Sequence, residues 1–171
     1  RLHELQQKLL ADPTVDERAH ALHMVELLHS LWSDQDPVVI VYWSPPYYPH
    51  IYVKDETDKE KNLLRAVEEA SQATESRYTI QMRKFYPYIS DLSYGAAPRE
   101  PGAIESLREN MPGFGVSYQL PLEEMRQLDL PVVNIGPFGK GAHKFTERVQ
   151  IDYSYHVAPK LVYRVIQNLL R

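Results

Sequence analysis

The sequence predicts an α/β fold in which a partly parallel sheet is flanked by helices. Two runs rich in β-branched residues have the length of strands: "VVIVYW" at residues 38–43 and "PVVNIG" at residues 131–136. Amphipathic helical patterns at about residues 14–33 and 57–76 stand on either side of the first run. Strands that alternate with helices favour a largely parallel sheet, and 171 residues are enough for a core.

The first part of the chain has the pattern of helices. "RLHELQQKLL" at residues 1–10 reads as the middle of a helix, so we expect the sequence to be the tail of a longer polypeptide. Thr14 and Glu17 have the spacing of a capping box, which predicts a helix from about residue 14 to 33. His20 and His23 fall off its apolar face and are interpreted as solvated. That face is formed by Ala21, Met24, Val25, Leu28 and Trp32.

Prolines and a second capping box delimit the next elements. "DQDP" ends the first helix, and the prolines of "SPPYYPH" end the strand at residues 38–43 because they donate no backbone hydrogen bond. Thr57 and Glu60 repeat the capping-box spacing and predict a helix to about residue 76. One side of this helix carries Leu63, Val67, Ala70 and Thr74.

The rest of the chain continues the alternation of strands and helices. "YTIQMR" at residues 78–83 predicts a strand, and "FYPYISDLSYGAAP" then leaves regular structure. "AIESLREN" predicts a helix, and "GVSYQ", "LEEMRQL" and "PVVNIG" suggest strand, short helix and strand. "APKLVYRVIQNLLR" closes the chain as a helix with Pro159 in its first turn. Its predicted inward side chains are Leu161, Val162, Val165, Ile166 and Leu169.

Composition excludes several classes of function. A net charge of -4 and a pI near 6.0 lack the basic footprint of a nucleic-acid-binding protein. Because the chain has no cysteine, a metal site would have to use histidine and carboxylate ligands, and a cytoplasmic location is expected. No apolar run approaches the roughly 18 to 20 residues that cross a bilayer, so no membrane association is expected.

The segment "NIGPFGKGAHKFTERV" is the first candidate site. Its glycines let the backbone turn sharply after the strand at residues 131–136, where ligands of α/β sheets commonly bind. Lys140 lacks the spacing of a phosphate-binding loop, so that interpretation is rejected. His143 could bind a metal ion, and Thr146 and Glu147 follow closely. The alternative is that His143 is a loop histidine bonded to a backbone carbonyl.

Two further segments allow both a functional and a structural interpretation. Asp91 follows a predicted strand and either caps a turn or joins a site with another acidic or imidazole group. The aromatic loop "SPPYYPHIYV", which contains His50, either lines a pocket or covers the edge of a core. No serine has a histidine and an acid at the spacing of a nucleophilic triad.

Four segments together resemble a known family. "VVIVYWSPPYYPH", "KFYPYISDLSY", "MPGFG" and "PVVNIGPFGKGAHKFTERVQIDYSYHVAPKLVYRVIQNLL" are similar, in this order and spacing, to the carboxyl-terminal third of RocB-like arginine-utilisation proteins. These are identified as members of the co-catalytic zinc metallopeptidases, with aminoacylases, glutamate carboxypeptidases and succinyl-diaminopimelate desuccinylase. The resemblance covers about residues 15–171, and its last segment is the most specific.

The resemblance implies roles for five residues. His143 matches the last metal ligand of the family, and Glu147 matches the acid four positions later. Gly136 and Pro137 match the small residues that bring the loop under the substrate, and Asp91 matches the aspartate of a Gly-Gly-Thr-Asp loop. Asp91, Gly136, Pro137 and Glu147 are therefore expected to bind substrate. Isoleucine and serine stand at 89 and 90, where the family motif has glycine and threonine.

The resemblance also implies a domain organisation and an activity. Residues 1–45 would end a lid and dimerisation domain, and residues 46–171 would form the carboxyl-terminal portion of the catalytic α/β domain. The intact protein would be a cytoplasmic homodimer that holds one or two zinc ions. It would be a hydrolase of an amide bond in an amino-acid derivative or peptide, in arginine degradation.

Whether this chain is itself an enzyme is left open. In the family, the remaining metal ligands and the general-base glutamate lie upstream of the lid, and these 171 residues contain none of those motifs. No catalytic residue is therefore assigned. The alternative is a non-catalytic binding or assembly module with a vestigial metal loop.

Overall fold

The structure, a computed structural model, describes residues 1–34, 36–86 and 89–171. The predicted helix stop in "DQDP" and the irregular start of "FYPYIS" include Gln35, Pro87 and Tyr88, which lie outside the described residues. The chain divides into two compact units, residues 1–49 with 96–128 and residues 50–95 with 129–171. The assignment of residues 1–45 to a lid and of 46–171 to a catalytic domain stays a prediction.

Helices dominate the described part of the chain. The α-helices are α1 (Leu2–Ala11), α2 (Glu17–Ser30), α3 (Asp58–Ala73), α4 (Ala103–Asn110), α5 (Leu122–Leu128) and α6 (Ala158–Leu169). The strands have two residues each: β1 (Ile51–Tyr52), β2 (Phe85–Tyr86), β3 (Gly139–Lys140) and β4 (Arg148–Val149). The helices predicted from "AIESLREN" and "LEEMRQL" are confirmed as α4 and α5.

The strands form two small antiparallel sheets. In one sheet β1 pairs with β2, with Ile51 opposite Tyr86. In the other, β3 and β4 form a hairpin, with Gly139 opposite Val149. A mixed architecture of helices and small sheets is thus confirmed, but the partly parallel sheet is not shown among the described residues.

Four predicted strands lie in no ladder of the described chain: residues 38–43, 78–83, 115–119 and 131–136. The parallel bridge between Phe114 and Tyr118 is isolated. Ile80, Val133 and Ile135 nevertheless pack against the core made by α3 and α6. In residues 78–83 and 131–136, the apolar pattern therefore reflects burial against helices, whereas a ladder also needs a hydrogen-bonding neighbour.

Helix α2 begins later than predicted, because another residue caps it. The cap is Asp16, whose side chain accepts a hydrogen bond from the Ala19 amide at 2.8 Å. Thr14 instead donates to Asp12, with 2.9 Å from its amide and 2.6 Å from its hydroxyl. The predicted capping box at Thr14 is therefore wrong.

The interpretation of His20 as a solvated residue is also wrong. His20 is buried, and its Nε2 lies 2.9 Å from the Leu9 carbonyl oxygen of the neighbouring helix α1. His23 remains exposed and lies 3.1 Å from Glu26. The buried side of α2 consists of His20, Ala21 and Met24, whereas Leu28 and Trp32 are about half exposed.

The second unit has its core between α3 and α6. The capping box of α3 is confirmed: the Glu60 amide donates to Thr57 Oγ1 at 3.2 Å, and the Thr57 amide donates to Glu60 Oε2 at 3.0 Å. The core cluster comprises Leu63, Ala66, Val67, Ala70, Leu161 and Val165. Ile166 and Leu169, predicted to face inward, are 49% and 39% exposed instead.

The aromatic loop is largely structural. The Tyr118 hydroxyl accepts from the Tyr47 amide and donates to the Tyr47 carbonyl, each at 3.0 Å. Burial raises the pKa of Tyr47. In the second unit, the His50 ring lies 5.3 Å from that of Phe85. For these aromatic residues the contacts agree with the interpretation that the loop covers the edge of a core, whereas Ile51 and Val53 at the end of the loop line a groove.

Candidate functional site

The five predicted site residues all belong to the second compact unit. His143 lies in the turn of the β3–β4 hairpin, Glu147 directly precedes β4, and Gly136 and Pro137 precede β3. Asp91 begins a short 3-10 turn, Asp91–Gly95. No hydrogen bond or ion pair between described residues joins Asp91 to the hairpin.

Two glycines make this hairpin possible. At Gly139, a Cβ atom would collide with the Arg148 carbonyl across the ladder. Gly141 has a φ of 68°, and a Cβ there would lie 3.1 Å from two oxygen atoms of Thr146. Only glycine combines this close approach with a left-handed backbone at low cost. The glycine-rich sequence before His143 is therefore explained by a tight turn.

His143 itself has a left-handed backbone, with a φ of 62°. Its amide donates to Glu147 Oε2 at 3.2 Å, and the Glu147 amide donates to the Lys144 carbonyl at 2.9 Å. The imidazole is exposed and makes no hydrogen bond to any described residue. The backbone carbonyl partner required by the structural alternative is therefore not found in the part of the chain described. The turn exposes the imidazole to solvent, without a partner among the described residues.

A polar network fixes the base of the hairpin. The Gln150 amide donates to the Phe138 carbonyl at 2.8 Å, and Gln150 Nε2 donates to the Tyr78 hydroxyl at 2.7 Å. The Tyr78 hydroxyl in turn donates to Asp152 Oδ2 at 2.9 Å, where Arg77 also forms an ion pair at 2.9 Å. The Tyr78 hydroxyl and Asp152 raise the pKa of Arg77.

Sequence reasoning missed this network. Its members lie 72 and 74 positions apart, and neither helical nor strand periodicity links them. The signal that was available is the run of polar and aromatic residues "QIDYS" directly after the hairpin. This run does not by itself indicate a network, because its partner Tyr78 cannot be identified from the sequence.

Asp91 does not cap the turn that it begins. Ser90 does so, because the Leu92 amide donates to its Oγ at 3.3 Å and the Ser93 amide donates to its carbonyl at 2.9 Å. The Asp91 carboxylate is exposed and has no hydrogen-bond partner among the residues described. Its substrate-binding role stays a prediction.

Gly136 lines a large groove. A Cβ at Gly136 would meet open space, so neither contact nor backbone strain requires glycine at this position. The groove has a volume of about 1100 Å³ and is also lined by Val133, Ile135 and Phe138. The substrate-binding roles of Gly136, Pro137 and Glu147 stay predictions.

The described residues contain no group of three or more His, Asp or Glu side chains that could hold a metal ion. Zinc sites in proteins use three or four protein ligands. The hairpin therefore does not supply a complete set of zinc ligands by itself, and a zinc ion at the His143 imidazole would need further donors from other residues. In addition, none of the described helices combines the length and apolarity needed to span a membrane.

Two curated proteins are similar to this chain. Protein RocB of Bacillus subtilis (strain 168) is 32% identical over 169 residues, which is 98% of this chain. The chain resembles part of RocB. The uncharacterized protein YqjN of the same strain is 34% identical over 157 residues, or 91% of the chain. The resemblance to RocB-like proteins predicted from the motifs is thus confirmed.

The match covers a minor part of these relatives. The chain spans 30% of the length of RocB and 28% of that of YqjN. Neither name mentions zinc, a peptidase or a substrate. No protein-family model matches the chain. No solved structure matches it either.

Proposed function

We propose that the chain is part of a RocB-like, metal-dependent amidohydrolase that acts on an amide bond of an amino-acid derivative, in arginine degradation. The observation that carries this proposal is the presentation of His143. An exposed residue held at a φ of 62°, with its imidazole unengaged, has the properties of a ligand positioned by its loop. The similarity to RocB supports the arginine-related part of the proposal.

In this proposal His143 binds zinc, and other parts of the native polypeptide supply the remaining donors. A zinc ion would polarise the scissile carbonyl and activate water. Glu147 orients the loop through its bond to the His143 amide. Asp91, Gly136 and Pro137 contact the substrate.

The finer features of the fold belong to the same proposal. The segments at residues 78–83 and 131–136 are then strands of a partly parallel sheet that α3 and α6 flank. Residues 1–45 end a lid domain and residues 46–171 belong to the catalytic domain. The intact protein is a cytoplasmic homodimer. The packing of Ile80, Val133 and Ile135 on one helix layer supports the sheet.

Metal content of the native polypeptide that contains this sequence tests the proposal. His143→Ala should lose one zinc ion per subunit together with hydrolysis of N-acyl amino acids. His156→Ala is the matched control, because His156 is also exposed in the same unit. If both variants keep the metal content of the wild type, His143 is not a ligand and the proposal fails.

A second candidate is a non-catalytic binding or assembly module with a vestigial metal loop. The large groove favours it, as does the lack of a three-donor group among the residues described. Wild-type protein that holds no metal and hydrolyses no N-acyl amino acid would favour this candidate.

A further inference from the structure

A smaller cavity lies in the first compact unit, which contains none of the five predicted site residues. Its volume is about 350 Å³, at the lower end of the range of small-molecule pockets, roughly 300 to 1,000 Å³. Helices α1 and α2, Tyr42 and the chain at residues 108–114 and 116 contribute its lining. The cavity therefore has the size of a site for a small metabolite.

The motif "MPGFG" at residues 111–115 forms one wall of this cavity. Gly113 has a φ of 85°, and a Cβ atom there would collide with Ser117 Oγ. The same Cβ position lies 4.0 Å from Met24 Sδ, so the turn lies directly against α2. A residue with a side chain would strain this backbone and displace the turn from the helix. The glycine is thus needed to build the cavity wall.

Apolar side chains supply a large part of the lining. Met24 and Met111 are buried, whereas Leu28 and Val116 are 49% and 47% exposed. Phe114, whose ring lies 6.4 Å from that of Tyr118, adds an aromatic surface. An apolar ligand group that covers the half-exposed side chains would remove them from water, which favours binding.

Four polar side chains line the same cavity without protein partners. Gln6, Tyr42, Arg108 and Glu109 form no side-chain hydrogen bond or ion pair with any residue that the structure describes. A guanidinium group matches the two oxygen atoms of a carboxylate, and a glutamate side chain accepts from an ammonium group. The cavity therefore offers one charge of each sign to a ligand.

The carboxyl-terminal end of α4 adds acceptors beside these charges. The Trp43 amide donates to the Asn110 carbonyl at 2.8 Å. The carbonyls of Arg108 and Glu109 accept no hydrogen bond within the described ranges, and Pro112 has no N–H group to donate to the first of them. Free carbonyls and the negative end of a helix dipole favour a positively charged group.

We infer that this cavity binds a free α-amino acid with an apolar side chain. The ligand carboxylate pairs with Arg108, and its ammonium group pairs with Glu109 and the free carbonyls of α4. The ligand side chain packs on Leu28 and Phe114. A simple anion would leave Glu109 unmatched, and a simple cation would leave Arg108 unmatched. A zwitterion satisfies both charges at once.

Calorimetric titration of the native polypeptide with L-leucine tests this inference. We expect one leucine per chain in this cavity. Glycine should bind at least about tenfold more weakly, because it has no side chain to bury. Isocaproate lacks the ammonium group of leucine and isoamylamine lacks its carboxylate, so each should also bind at least about tenfold more weakly. Neither compound contains an amide bond, so hydrolysis does not disturb the measurement.

Charge-removing variants assign the two ends of the ligand. Arg108→Gln should weaken leucine binding at least about tenfold and leave isoamylamine binding unchanged. Glu109→Gln should weaken isoamylamine binding and leave isocaproate binding unchanged. Both residues are exposed, so both variants should fold. Arg126→Gln is the matched control, because Arg126 is an exposed arginine of the same unit that does not line the cavity.

Three results would overturn the inference. Wild-type protein that binds no leucine would exclude the site. Equal affinity of the wild type and Arg108→Gln for leucine would place its binding elsewhere. Leucine binding that is lost in His143→Ala but kept in Arg108→Gln would assign it to the proposed metal site. The titration needs no metal, so the amidohydrolase proposal can fail while leucine binding holds.

Discussion

At the scale of single residues, the backbone of His143 is the most informative feature. A left-handed conformation costs a residue with a Cβ roughly 1–2 kcal/mol, and here it is found at an exposed position. The sequence indicated His143 as a candidate ligand from residue type and neighbouring glycines. It did not indicate the strain, because φ at a turn tip depends on how the hairpin ladder closes around it.

Replacing His143 with glycine should therefore keep the fold while removing the imidazole. Glycine removes the strain of the left-handed conformation, which stabilises the folded state. Its greater backbone entropy stabilises the unfolded chain, so the two effects oppose each other. We expect the free energy of unfolding to stay unchanged or rise by up to about 1 kcal/mol, measured by urea denaturation. Phe145→Gly is the control, since Phe145 is fully exposed nearby without a positive φ. A clear loss of stability in His143→Gly, equal to that of the control, would mean that the strain is absent in solution.

At the scale of elements, a capping motif predicted the start of one helix and mispredicted the start of another. The start of α3 was predicted because Thr57 and Glu60 lie three residues apart and form both bonds of the box. The start of α2 was predicted wrongly, because the Thr14 hydroxyl donates a hydrogen bond to Asp12 and Asp16 caps the helix instead. A motif that spans four residues is ambiguous when several capping residues compete.

The two threonines provide a direct test of this difference. Thr57→Ala removes the cap acceptor of α3 and should lower the free energy of unfolding by about 1 kcal/mol. Thr14→Ala removes only an exposed contact to Asp12 and should cost less than about 0.5 kcal/mol. Chemical denaturation of both variants measures the two losses. Equal losses would contradict the assignment of Asp16 as the cap of α2.

The network at the base of the hairpin gives another prediction at this scale. Tyr78→Phe removes the hydroxyl that bonds Gln150 and Asp152, and should cost about 1 kcal/mol. The amide of Gln150, bonded to the Phe138 carbonyl, should exchange faster because the hairpin base is loosened. Tyr163→Phe is the control, because Tyr163 is 63% exposed. If exchange at Gln150 is the same in both variants, the network does not hold the hairpin.

At the scale of the whole molecule, apolar segments were predictable but their partners were not. The "VVIVYW" run at residues 38–43 has the composition of a strand, yet no ladder of the described chain includes it. Pairing is decided by distant residues, and a β-branched run alone does not identify them. The mixed class of the fold was therefore predictable, whereas the order of strands in a sheet was not. The same limit applies to the candidate site. The sequence identified the loop that carries His143, but it did not identify the residues that would supply the other metal ligands.

The exposed run also predicts how the isolated chain behaves. Val39 and Val41 are each 88% exposed on one side of this segment. An apolar segment without strand partners favours association between copies. We expect the 171-residue chain to self-associate at micromolar concentration, measured by sedimentation velocity. Val39→Lys with Val41→Lys should reduce association without changing the unfolding temperature, because neither side chain is buried.

Leu170→Lys is the control for added charge, since Leu170 is 83% exposed outside the segment. If it reduces association as much as the double variant, the effect comes from net charge and not from this segment. A wild-type chain that is monomeric, with one sharp unfolding transition, would contradict the prediction altogether. If the double variant still associates, the groove becomes the candidate contact surface. Slow hydrogen exchange of residues 132–136 at high protein concentration would then show that copies of the chain pair there. The two apolar surfaces are thus separable by experiment, because the double variant changes only the segment at residues 38–43, whereas the exchange measurement reports on residues 132–136 of the groove.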